Sequence, residues 1–269
     1  MKNKDSKGKG REKRFEDVEF LAKRVKEETP KPGDYLYDYR IEALRQEFST
    51  ENQEDLSKKL KLFFRDLPVS KGLLKGLTQR GFTKLTEVQR CVIPHAVGGR
   101  DVVVASRTGS GKTLAYLIPL VEDLYRQKWN PMDNLGAMVI LPTRELAIQV
   151  FEVLQSITEH MEINIGLCIG GKDLKSEQDR LSRMSILICT PGRLLQHLDV
   201  SYGFETDNLR VLVFDEADEI LSHGFSDTID QILERIPNMG RQTMLFSATM
   251  NKDVKSLVKL AMNKPENIF

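Results

Sequence analysis

Cysteine, tryptophan and histidine are scarce in this 269-residue chain, at three, one and four copies, and each scarcity removes a class of function. Cys91, Cys168 and Cys189 stand far apart, form no CxxC pair and lie in apolar surroundings. They read as buried free thiols in a reducing compartment, not as zinc ligands or disulfides. His95, His160, His197 and His223 show no ligand spacing and are assigned to structure or surface. Long apolar runs are missing too: the longest, "LAYLIPLV" (114–121), contains a proline and is far below the roughly 18 residues of a membrane span. The basic start is followed by no apolar stretch, so it is no secretory signal. Excess charge is also absent. With 40 Lys and Arg against 39 Asp and Glu, net +1, any polyanion must be held by local clusters. A soluble intracellular protein is expected.

At 30.7 kDa the chain has room for one large α/β domain or two small ones. The opening "MKNKDSKGKGREKR" has almost nothing to bury and is expected to be a disordered basic tail: a nuclear address, an RNA-touching arm or simply a solvated end. Residues 15–30 and 39–62 have helical character, completing a charged extension over 1–62. From residue 63 the pattern changes. Short β-branched runs at 101–106, 137–142, 165–170, 185–190, 211–215 and 243–249 alternate with helical stretches. That alternation predicts an α/β domain with a mostly parallel sheet and helices on both faces. Ligands in such folds bind beyond the carboxyl ends of the strands, which directs attention to the residues that end each run.

The first run ends in "ASRTGSGKT" (105–113). Gly109 and Gly111 let the backbone wrap an anion, a helix opening near Lys112 points its N–H groups at phosphates, and Lys112 adds a point charge. Thr113 is then suited to Mg²⁺. The strict G-x-x-x-x-G-K-[ST] pattern fails at its first position, where Ser106 replaces glycine. The apolar run 211–214 ends abruptly in Asp215, Glu216, Ala217 and Asp218. Carboxylates crowded at a buried strand end repel one another unless a cation, a proton or solvent relieves them. With a phosphate loop in hand, Asp215 is placed to serve the metal and Glu216 the attacking water.

Taken in order, "GFTKLTEVQ" (81–89), "ASRTGSGKT", "PTREL" (142–146), "GG" (170–171), "TPGR" (190–193), "DEAD" (215–218) and "SAT" (247–249) resemble the N-terminal RecA-like domain of DEAD-box RNA helicases, over about residues 63–269. The resemblance implies a RecA-like P-loop NTPase fold, with ATP and Mg²⁺ as cofactors and RNA as partner. It implies that Gln89 reads the adenine edge, that Phe64 packs on the base, and that Phe82 and Lys84 also serve the nucleotide. Thr108, Gly109, Ser110, Gly111, Lys112 and Thr113 would hold the phosphates, Thr113 and Asp215 the metal. Lys112, Asp215, Glu216 and Asp218 would carry catalysis. Leu85 departs from the family, which has proline there, and puts the local turn in question.

By the same resemblance, Thr143, Arg144, Gly171, Thr190 and Arg193 contact single-stranded RNA, although the bare sequence reads the two arginines as helix-start or salt-bridging residues. Ser247 and Thr249 would bond to Asp218 and couple nucleotide state to RNA grip. The loop "RQKWNPMDNLG" (126–136), where Trp129 reads as a packed anchor, "IGGKDLK" (169–175), "PGRLLQHLD" (191–199) and Leu85 resemble a nucleolar branch acting on small-subunit ribosomal RNA precursors and snoRNA release, implying the nucleus and nucleolus. The family closes two RecA-like domains around ATP and RNA, and the second domain, with its arginine finger, is not in this sequence. Such fingers contribute on the order of 10³ to 10⁵ in rate, about 4 to 7 kcal/mol, so the chain alone is expected to hydrolyse ATP very poorly. Two readings follow: the ATP-binding half of an RNA helicase, or an ATP-gated RNA or protein adaptor without turnover.

Overall fold

The computed structural model describes residues 2–34, 62–171, 174–200 and 203–268. Strands β1 (Val102–Ala105), β2 (Ala137–Ile140), β3 (Ile165–Cys168), β4 (Ile186–Cys189), β5 (Val211–Phe214), β6 (Gln242–Ser247) and β7 (Glu266–Ile268) form one sheet in the order β3-β4-β2-β5-β6-β1-β7. Every pairing in it is parallel. The first six match the expected runs. β7 was not expected, because three residues with a polar centre carry no periodicity; it is recruited by its pairing with β1.

Helices cover both faces, as βαβ crossovers require. Val102, Val104, Val139, Val213 and Phe246 point into one core, beneath α2 (Lys71–Gln79), α3 (Glu87–Val97), α4 (Lys112–Arg126) and α5 (Arg144–Ile157). The alternate residues Val103, Met138, Leu212, Phe214 and Leu245 enter a second core. There they meet α6 (Leu174–Leu181), α7 (Pro191–Val200), α8 (Ala217–Ser222), α9 (Ser226–Arg235) and α10 (Lys252–Ala261). Strands buried on both faces explain the continuous apolar runs. Cys91, Cys168 and Cys189 are buried free thiols.

The basic start departs from expectation. Residues Lys2–Glu28 form one helix, α1, where the composition suggests a disordered tail over the first fourteen residues and helical character only from 15. Val18 and Leu21 are buried and Val25 packs against the main core, an i, i+3, i+7 stripe. That stripe lies along α3 and α4. Arg24 adds hydrogen bonds to the carbonyls of Asp66 and Leu67, and Tyr125 donates to Asp17. Tertiary docking through residues 17–25 thus supports the helix where its own composition offers little to bury. The helix expected over 39–62 falls outside the described residues, apart from its last position.

Candidate functional site

The strand order arranges the motifs along the carboxyl rim of the sheet. From one side to the other the rim carries "GG" after β3, "TPGR" after β4, "PTREL" after β2, "DEAD" after β5, "SAT" in and after β6, and the phosphate loop after β1. Three neighbouring strands thus supply one half of the rim, three others the second.

In the phosphate loop Gly109 and Gly111 have φ of +78° and +95°, the left-handed region that glycine enters without strain. Gly111 caps α4, and a Cβ there would stand 2.7 Å from Gln89 Nε2 and 2.8 Å from Thr86 Oγ1, so only glycine allows this approach. Lys112 is buried and donates to the Ser106 carbonyl at 2.9 Å. Ser106 Oγ also meets Ser110 Oγ at 3.1 Å, so the residue that breaks the strict pattern still helps close the loop. Thr108 is exposed at its tip, Thr113 half-buried at its base.

Asp215 ends β5 almost wholly buried. Its Oδ1 accepts from the Glu216 N–H at 2.9 Å and its Oδ2 from the Tyr116 hydroxyl at 2.9 Å. Burial pushes its carboxyl up to about 6, against the hydrogen bond from Tyr116 and the charge of Lys112, and Glu216 raises it further. A carboxyl so strained as an anion is one that a nearby cation would relieve. The donors here, the Asp215 carboxylate and the Thr113 hydroxyl, are hard oxygens, which suits Mg²⁺ and not a thiophilic metal. Glu216 has φ 52° and ψ 50°, a left-handed conformation rare outside glycine, and begins α8. Strain of this kind gathers at functional sites.

Asp218 accepts from the Thr249 N–H and hydroxyl at 2.9 Å each and from the Ala248 N–H at 3.4 Å. Burial alone would raise its carboxyl; the hydroxyls of Thr249 and Ser247 and the two backbone donors outweigh it and hold the group below its ordinary range. Ser247 also donates to the Thr249 carbonyl at 2.7 Å. A cleft of about 210 Å³ joins these pieces, lined among others by Thr108, Lys112, Thr143, Glu216, Asp218 and His223.

Towards the base site, Gln89 accepts from the Thr86 N–H at 2.9 Å and donates to the Gly111 carbonyl at 2.9 Å. One N–H and one lone pair of its amide remain. Phe64 lies in the core at 1 % exposure, its N–H bonded to the Thr83 carbonyl. Phe82 is the half-open aromatic, and Lys84 is exposed beside it. Leu85 donates its N–H to the Leu62 carbonyl at 2.9 Å, a bond proline could not make, so the departure at 85 is compensated locally.

On the other half of the rim, Thr143 caps α5 through Leu146 N–H and Arg144 is exposed. The Arg144 guanidinium lies so close over the "GG" backbone that a Cβ on Gly170 or Gly171 would come within 3.0 or 2.9 Å of it. Thr190, half-buried, bonds its N–H to the Cys168 carbonyl. Arg193 Nε and Nη2 meet Glu177 Oε2 at 3.0 and 2.9 Å, and its Nη1 meets Gln196, so this buried guanidinium braces α6 against α7. His197 joins the same carboxylate at 3.0 Å. Trp129 is an anchor, donating to the Asn134 carbonyl and packing over Gly136.

A profile described as "DEAD/DEAH box helicase" matches residues 86–257. The chain belongs to that family. It is 54% identical to "ATP-dependent RNA helicase dbp4" of Emericella nidulans over 216 residues, which cover 80% of this chain and 26% of that one. It is 49% identical over 205 residues to "Probable ATP-dependent RNA helicase ddx10" of Dictyostelium discoideum, 76% of this chain and 23% of that one. The crystal structure of a DEAD box protein from the hyperthermophile Methanococcus jannaschii superposes with a TM-score of 0.71 at 33% identity, covering 77% of this chain and 55% of that one. The chain thus spans about a quarter of the length of the curated relatives. The RecA-like fold is that of the family, whose members use ATP and Mg²⁺. Two side chains at the site carried no sequence signal: Tyr116, inside the apolar run 114–121, and His223, which read as structure or surface.

Proposed function

We propose that this chain is the ATP-binding half of an RNA-dependent ATPase that separates short RNA duplexes or remodels RNA–protein complexes. The observation that carries the reading is the adjacency of the phosphate loop, Asp215 with Glu216, and the Asp218–Thr249 contact on three neighbouring strand ends. Gln89 and Phe82 are the groups for adenine, and the loop amides with Lys112 are the groups for the phosphates. Thr113 and Asp215 would hold Mg²⁺, which when bound neutralises charge building on the phosphates. Glu216 is placed to orient water and take its proton. Asp218 links that side of the cleft to Ser247 and Thr249. Thr143, Arg144, Gly171 and Thr190 supply hydroxyls, amides and charge to a sugar-phosphate backbone, which positions a strand without reading its sequence.

A second RecA-like domain is the expected partner, and ribosomal RNA precursors in the nucleolus are the proposed setting. Support for that setting comes from similarity to proteins named ATP-dependent RNA helicase dbp4 and from the branch-like segments around Trp129 and after Gly171. The test is single-turnover ATP hydrolysis with RNA, for this chain alone and mixed with a second RecA-like domain. Near-background rates alone, RNA-stimulated rates on mixing, and their loss with Glu216→Gln are expected. Turnover indifferent to Glu216→Gln would remove the enzyme reading, and no RNA-stimulated turnover on mixing would leave that of an ATP-gated adaptor.

A further inference from the structure

The two side chains assigned to the metal come from different elements. Thr113 stands in the first turn of α4 after β1, Asp215 at the end of β5, and β6 lies between those strands. Tyr116 links the helix of the one to the strand end of the other. It follows Thr113 by three residues on α4, so both side chains emerge on one face of the helix. Its ring meets Phe246 of β6 edge-on, centroids 5.2 Å apart and planes at 60°. Its hydroxyl donates to Asp215 Oδ2 at 2.9 Å. The Glu216 N–H occupies the other carboxylate oxygen.

We infer that Tyr116 is a positioning residue for the metal site: its phenol, carried on the same helix as Thr113, holds the Asp215 carboxylate in the orientation in which the two can share one divalent cation. The inference rests on the function proposed above and adds to it a residue that touches neither nucleotide nor metal. A core tyrosine with a merely satisfied hydroxyl would contribute to folding alone. A brace sets how readily the cation is taken, because partners that orient metal ligands typically change metal affinity 10- to 100-fold when removed.

Tyr116→Phe keeps the ring on Phe246 and removes only the hydroxyl. The measurement is binding of a fluorescent N-methylanthraniloyl-ADP, titrated with Mg²⁺ and referred to each protein's own binding in EDTA. Melting temperatures are recorded alongside, and Tyr116→Met serves as a second hydroxyl-free variant. A Mg²⁺ half-saturation raised about tenfold or more in both variants is the expected result. Half-saturation equal to or below that of the parent, whether or not the melting temperature moves, would overturn the inference. If the parent chain itself binds the nucleotide without any response to Mg²⁺, or to Asp215→Asn, the proposed function fails, and this inference fails with it.

Discussion

Glu122, in the middle of α4, has no exposure, and only one of its carboxylate oxygens is satisfied, by the N–H and hydroxyl of Ser70 at 2.8 and 2.7 Å. Burial pushes its carboxyl up to about 7, against those hydrogen bonds and the nearby Arg126 charge. A carboxyl that binds its proton more tightly when folded gives its full stabilising contribution below its unfolded value of 4.5, and that contribution is lost as the pH rises through about 7. The difference corresponds to about 3 kcal/mol at most. Glu122→Gln is therefore expected to raise the melting temperature at pH 8 and to give little gain at pH 5, and paired thermal melts at the two values check it. Such a group is invisible in sequence, where an acidic residue in a helix reads as solvated. The same limit holds for Phe64 and Arg193, whose burial no local motif announces. Lys112, Thr113, Asp215 and Asp218 were legible because dense local motifs fix them, whereas whether an aromatic or an arginine faces a ligand depends on what the fold stacks above it.

At the scale of elements, the strand runs were legible because parallel strands covered on both faces must be apolar throughout, and β7 was not because an edge strand of three residues need not be. Helix α1 was misread for a related reason: composition measures what a segment can bury by itself, and Val18 and Leu21 bury against α3 and α4. Leu21→Ala should loosen that docking selectively, with trypsin cutting within residues 2–28 faster while amide exchange in β1 to β6 is unchanged. The α2–α5 crossing depends on an absence. A Cβ on Gly76 would stand 2.1 Å from the Ile157 carbonyl oxygen, so the two backbones meet where no side chain fits. Gly76→Ala must push α2 away from α5, at a cost of about 1 to 3 kcal/mol, read as a lower urea midpoint with unchanged slope.

For the molecule as a whole, the strand order converts six sequence segments, spread over residues 105–249, into one rim with a nucleotide half and a strand-binding half. Asp218, which starts after β5, bonds to Thr249, which follows β6, and so ties the two strand ends that flank the cleft. If that rim binds Mg²⁺ and ADP in the folded state only, a ligand at about a hundred times its dissociation constant adds about 2.7 kcal/mol to stability. For a domain of this size that is a rise of about 5 to 10 °C in melting temperature. Lys112→Ala should abolish the rise and Asp215→Ala should abolish the part that depends on Mg²⁺. Arg210→Ala, at the opposite end of the sheet beside Asp123, should leave it intact. A thermal shift that survived Lys112→Ala but vanished with Arg210→Ala would mean that the nucleotide sits at the amino ends of the strands, and the division of the rim into two working halves would have to be abandoned.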